Sequence, residues 1–316
     1  MILSRRHLRS KGLQALYAFF QSDNADIAKG EKELIVSIDK VYDLYLYQLS
    51  LITEIIRYAG RMAEEGKQKK LPTPEDLAPN TRFIDNQVIA KLNISRPFLK
   101  ALEVRKINWI NEQEFIKKFV LAIKESEEYK EQLSSEDSSF EADKNFLVQI
   151  YKSCIADSEQ LQQYLEEHSI YWMDDMELVN SMIVKTIKSF SEASGEFHPI
   201  LPLYKDEEDD KKFIVDLFRK TILNNKEYEE LIAEKTQNWD VERIALMDIL
   251  IMKMAICEVL NFPSIPVKVT LNEYIDISKR FSTPKSKVFI NGILDKIILD
   301  FKTQDRIKKT GRGLLQ

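Results

Sequence analysis

Arg5, Arg6 and Arg9 lie within one to two helical turns of one another near the start of the chain. Arg5 and Arg9, four apart, share a helical face, and the orphan backbone N–H groups of a helix start point the same way. That combination suits phosphate. A second cationic group lies far along the chain, where Lys279, Arg280, Lys285 and Lys287 surround the run Ser282-Thr-Pro-Lys-Ser-Lys-Val-Phe-Ile-Asn-Gly. The run predicts a helix start, with Ser282 or Thr283 as cap and Pro284 in the first turn, where its missing N–H costs nothing. Single-stranded RNA is held by such a basic groove together with an aromatic on which a base stacks. Phe289 is the available aromatic, but on the residues alone core packing among Val288, Ile290, Ile293, Leu294 and Ile297 is the favoured reading of it.

Little else in the sequence suggests chemistry. It holds no glycine-rich phosphate cradle, HExxH, CxxC pair or nucleophile elbow. His7, His168 and His198 are far apart, and the adjacent Asp174 and Asp175 point to different sides of a helix, so neither set suggests a metal or an acid/base pair. Cys154 and Cys257 make neither a disulfide framework nor a thiolate metal site. No enzyme activity, cofactor or metal is expected.

Helices must position the cationic groups. Eight glycines and nine prolines in 316 residues are too few turn signals for a large sheet protein, so an all-α fold is expected. Leu13, Leu16, Tyr17 and Phe20 have the spacing of a buried stripe on a first helix. Its basic first turn opposes the helix dipole; an external anion would offset this, and a solvated basic tail is the other reading. Residues 31–65 form one long periodic stretch, 67–80 a proline-bearing linker, and further helical patterns cover about 85–92, 97–104 and 111–133. Asp206-Glu-Glu-Asp-Asp210 reads sufficiently as a solvated acidic loop, the alternative being the favourable first turn of a helix. At an offset of 67 residues, Phe146, Val148, Ile155, Glu167 and Trp172 recur as Phe213, Val215, Ile222, Glu234 and Trp239, a weak sign of duplication.

A net charge of -5 conceals a strong asymmetry. Residues 1–21 carry four Lys/Arg and no acid, residues 211–316 carry 19 basic and 14 acidic side chains, and the stretch between them 23 and 37. A polyanion would dock on the two ends and be repelled by the middle. No apolar run approaches the roughly 18 to 20 residues of a membrane span, and the opening lacks a signal-peptide pattern. A cytoplasmic location is expected, without membrane association.

The C-terminal third is the most specific stretch. It contains Pro266-Val-Lys-Val-Thr-Leu-Asn-Glu273 and Phe289-Ile-Asn-Gly-Ile-Leu-Asp295, and the N-terminus pairs Arg5-Arg6-x-x-Arg9 with Gln14-Ala-Leu-Tyr17. In these motifs the chain resembles the NusB family of bacterial transcription antitermination factors, over residues 4–20 and about 211–301. Roughly 190 residues between them have no counterpart in compact members, which implies an extended form. The domain reading is residues 1–21 as the N-terminal helix of the core, 22–210 as an acidic helical insertion, 211–301 as the C-terminal core and 302–316 as a basic tail.

The resemblance implies NusB-like helical bundles and RNA binding without catalysis. It implies boxA-like RNA of rRNA transcripts as ligand, a NusE-type small-subunit ribosomal protein as partner, and a complex with other Nus factors and RNA polymerase. The RNA-binding residues carried over are Arg5, Arg6, Arg9, Lys11, Lys279, Arg280, Lys285, Lys287 and Phe289. His7 stands where the family often has a further basic residue, and Lys285 where relatives can carry an acid. Lys253 and Glu258 match the partner-binding side. Trp239 is expected as a core anchor, Gly292 as a point of close helix packing, and Asn272 with Glu273 as a structural junction in preference to a surface pair. The tail, with five Lys/Arg and one acid, reads as disordered and solvated, the alternative being phosphate contacts made on ordering.

Two rivals remain. A protein-interaction scaffold would use the acidic insertion. A NusB-domain rRNA methyltransferase would need a Rossmann domain after the resemblance, where only about 15 residues follow.

Overall fold

The structure, a computed structural model, describes residues 1–22, 26–236 and 244–314. Among them every regular element is helical and there is no strand, as expected for an all-α chain. Trp239 lies outside the described residues. The chain divides into two compact units, one of residues 3–38 and 204–316, the other of residues 39–203.

The first unit opens with α1 (Arg5–Gln21) and the first turns of α2 (Ile27–Lys67). Leu8, Leu13 and Leu16 form the buried stripe of α1, whereas Tyr17 is exposed, so the expected stripe is displaced by part of a turn. At Gly12 an added Cβ would sit 2.8 Å from Ile214 Cδ1 and 3.3 Å from Met254 Cε. The missing side chain there admits the close approach of neighbouring helices.

The second unit takes the rest of α2, then α3 (Pro74–Leu77), α4 (Gln87–Asn93), α5 (Arg96–Arg105), α6 (Gln113–Glu125), α7 (Glu127–Ser134), α8 (Phe140–Ile150), α9 (Glu159–His168) and α10 (Met176–Ser189). The expected linker thus contains one capped turn, α3, where Thr73 Oγ1 accepts from Asp76 N. The pattern predicted over 111–133 is two helices, because Ser126 turns extended and its hydroxyl accepts from Tyr129 N to start α7. A π-helical turn, Tyr151–Ala156, continues α8.

The remaining helices of the first unit are α11 (Glu207–Leu223), α12 (Asn225–Lys235), α13 (Leu246–Asn261), α14 (Val267–Phe281) and α15 (Ser286–Thr303). The acidic run resolves as a helix start: Asp206 caps α11 by accepting from Asp209 N at 3.0 Å, and the acids after it fill the first turn. Helix α13 is apolar nearly all round, and a helix of that kind is driven to the centre of a bundle. It packs against α1, α11, α12, α14 and α15.

The 67-residue echo extends to helix boundaries. Shifted by 67, Phe140–Ala156 falls on Glu207–Leu223, the span of α11. Phe146 and Phe213, Ile150 and Leu217, and Tyr151 and Phe218 are buried in both copies. Asp143 and Asp210, also buried, each accept a backbone N–H, from Gln87 at 3.0 Å and Lys205 at 3.1 Å respectively.

Candidate nucleic-acid interface

The first turn of α1 brings its cations to carboxylates from distant segments. Arg5 Nη2 lies 2.6 Å from Asp209 Oδ2, and its guanidinium sits 4.3 Å over the Phe213 ring. Arg6 donates to both oxygens of Glu273, at 3.0 and 2.7 Å, and reaches Asp276 at 3.0 Å. Hydrogen bonding to Glu273 raises its pKa, against a smaller opposing effect of burial. The sequence suggested that an external anion offsets this basic turn. Internal carboxylates already do so.

Arg9 is interior. Its side chain is 3% exposed, and Nε and Nη2 donate to Glu258 at 2.7 and 2.8 Å. Burial works against its charge, but hydrogen bonds and attraction from Glu258 prevail and raise its pKa. Glu258 is wholly buried and also accepts from Thr270 Oγ1 at 2.8 Å and Tyr274 Oη at 3.3 Å. Lys11 is likewise buried. Lys253 is buried too, and its ammonium ties α13 to α12 through Asn225 Oδ1 at 2.6 Å and Glu229 Oε2 at 2.9 Å. Arg9 and Lys11 therefore leave the list of surface RNA contacts, and Lys253 and Glu258 the list of partner contacts. Each carries a sequence match but sits where the helices pack. Glu273 is bound to Arg6 and, at 3.4 Å, to Arg9, so it joins α14 to α1, whereas Asn272, expected to share that junction, is exposed.

The accessible cations converge in part. Asp276 binds Arg6 through Oδ2 and Lys279 through Oδ1, at 3.0 and 2.6 Å, so the last turn of α14 meets the first turn of α1. Arg280 is close enough for its charge to act on His7. Lys285 and Lys287 are exposed at the start of α15, and Phe289 is half-buried one turn in. That helix starts at Ser286, later than the predicted cap. Ser282 Oγ instead bonds Asp248 and, at 2.9 Å, Ser286, which fastens the junction of α13, α14 and α15. Gly292 has nothing within 4 Å of an added Cβ, so close helix packing does not explain it.

His7 closes the first turn by accepting Ser4 N–H on Nδ1 at 3.1 Å, which requires a neutral ring. Burial first, then the charges of Arg280 and Arg6, hold its pKa below 6.5. The unfolded chain therefore takes up a proton before the folded one does. This contribution to stability is complete above pH 6.5 and is lost as pH falls through 6.5 toward the folded midpoint. An imidazole NMR titration should give a midpoint below 6.5; one at or above it would contradict the half-buried cap.

Beside this turn lies a cavity of about 680 Å³, lined by Arg5, Arg6, His7, Arg9, Glu273 and Arg312 among others. Arg312 comes from the C-terminal tail, expected to be solvated and disordered. The tail instead packs on its unit: Lys309 Nζ donates to Phe262 O at 3.1 Å and Thr310 N to Pro263 O at 3.0 Å. Sequence reasoning found the tail's charge but not this residue. Among the described residues, no group of three or more His, Cys, Asp or Glu is placed to hold a metal, and no helix is long and apolar enough to cross a membrane.

The all-helical chain agrees with the fold that the motif resemblance implied. A family model for NusB matches residues 179–299, taking in α10 and the connection after it as well as the C-terminal helices. The transcription antitermination protein NusB of Salinibacter ruber is 38% identical over 138 residues, 42% of this chain and 86% of the relative. Its namesake in Geobacter sulfurreducens is 36% identical over 125 residues, 38% of this chain and 91% of the relative. That of Chloroherpeton thalassium is 40% identical over 105 residues, 33% of this chain and half of the relative. No solved structure matches the chain significantly. The chain belongs to the NusB family, as an extended form.

Proposed function

We propose that this protein is a non-enzymatic, RNA-binding transcription antitermination factor. It holds single-stranded, boxA-like RNA of rRNA transcripts, together with a NusE-type ribosomal protein, and acts in a complex with other Nus factors and RNA polymerase. The observation that carries this reading is the sharing of Asp276 by Arg6 and Lys279, which joins the two cationic ends of the chain in one accessible patch. The relatives' shared name, transcription antitermination protein, supports the process. The phosphate contacts come from Arg5, Arg6, Lys279, Arg280, Lys285 and Lys287, and Phe289 offers the stacking face.

RNA phosphate must compete with carboxylates already on these cations. Charge removal on the two sides of the patch should therefore act with opposite signs. In fluorescence anisotropy with a boxA-like oligoribonucleotide, with and without the NusE-type protein, Arg6→Ala with Lys279→Ala should weaken binding. It should also flatten the salt dependence by about one unit of slope per lost phosphate contact. Asp276→Asn should strengthen binding several-fold, by roughly the same charge arithmetic. Affinity unmoved by all three changes would favour the acidic scaffold over the RNA reading.

A further inference from the structure

We propose that the C-terminal tail is a structural strap that holds Arg312 in the cavity at the first turn of α1 as a further phosphate-binding group for single-stranded RNA. The inference rests on the RNA reading above. It starts from how the tail is fixed. After α15, Arg306 Nη2 pairs with Glu227 at 2.5 Å while its guanidinium lies 4.6 Å over the Phe301 ring. Lys309 and Thr310 then bond the backbone carbonyls of Phe262 and Pro263. At Gly313 an added Cβ would stand 1.9 Å from the Pro263 carbonyl oxygen, so the strap passes where only glycine fits. Gly311, at φ +53°, makes the turn in a left-handed conformation that suits glycine.

Arg312 sits between these two glycines with its side chain exposed at the cavity. Its charge state of pairing sets it apart from the other guanidinium groups there. Arg5, Arg6 and Arg9 are each bound to carboxylates, whereas Arg312 has no ion-pair or hydrogen-bond partner among the described residues. It is thus the guanidinium there with no direct carboxylate partner to give up, the aspartates Asp206, Asp209, Asp210 and Asp216 lining the adjoining hollow at longer range. Its planar fork suits phosphate oxygens, and anchoring of the backbone on both sides lowers the entropy lost when it binds.

The test uses the full chain and the same boxA-like oligoribonucleotide at low salt. Arg312→Ala should weaken binding roughly tenfold, the scale of one lost charge-assisted hydrogen bond, and reduce the salt slope by about one. Gly313→Ala should give a similar loss with Arg312 still present, because the strap can no longer seat against Pro263. Lys308→Ala removes a tail charge that is paired with Asp305 and should leave affinity unchanged. Equal losses from Lys308→Ala and Arg312→Ala would mean diffuse tail charge and overturn the strap. Weakening by Arg6→Ala with Lys279→Ala, but none by Arg312→Ala or Gly313→Ala, would overturn this inference and leave the RNA reading intact. A wild-type chain that binds no such RNA would overturn both.

Discussion

Glu258→Ala should destabilise the first unit by about 3–5 kcal/mol, the range for breaking a buried ion pair and leaving one charge behind. Arg9, 3% exposed, would lose both of its shortest acceptors, and Thr270 and Tyr274 would lose theirs. Glu273 at 3.4 Å is a poor substitute. Arg5→Ala provides the contrast. Its nearest partner, Asp209, is 68% exposed, and a solvated pair of that kind is worth about 0–1 kcal/mol, to which the longer contact with Asp210 at 3.6 Å and the Phe213 ring add. Replacing both buried partners, as Arg9→Met with Glu258→Leu, should recover much of the single-variant loss, because the stranded charge causes most of it. Urea unfolding of the four chains measures this, and a Glu258→Ala cost under about 1 kcal/mol would show that the pair is not buried as described. One consequence concerns RNA assays: loss of binding by Arg9→Ala would report a broken helix junction, not a missing phosphate contact.

The second large effect falls in the other unit. Trp109 stacks on Phe115 at 6.0 Å and on Tyr164 at 5.2 Å, meets Tyr47 edge-on at 5.6 Å, and donates its indole N–H to Ser50 Oγ at 3.0 Å. It thereby ties α2, α6 and α9 together from the short connection before α6. Trp109→Ala should cost about 3–5 kcal/mol, the usual range for deleting a large buried aromatic. Trp109→Phe, which keeps a ring but loses the hydrogen bond, should lose less. Denaturant unfolding followed by near-UV circular dichroism distinguishes them. A loss below about 1 kcal/mol for the alanine variant would remove Trp109 from the role of anchor.

Neither residue announced its role in the sequence. Trp109 lies in a connection with no helical periodicity to mark it as buried. Glu258 could be placed on α13, but the spacing of an isolated acid does not reveal whether it faces solvent or a cation from another segment. The strap is a similar case. Five basic residues in a short tail look solvated by composition, and only the meeting of Gly313 with the Pro263 carbonyl shows that the tail is seated.

Local spacing fixed what local physics governs: the helical class, the run of α1 and α2, and the motifs that mark the family. These depend on contacts within a few turns, so a linear reading reaches them. The pairing of charges was decided by tertiary structure. Arg6 and Arg9 are the same residue type three positions apart, yet one is 48% exposed and the other 3%. Their difference comes from acids on α13 and α14, some 250 residues away in the chain, and whether a cation meets a buried carboxylate or solvent depends on distances that exist only after folding.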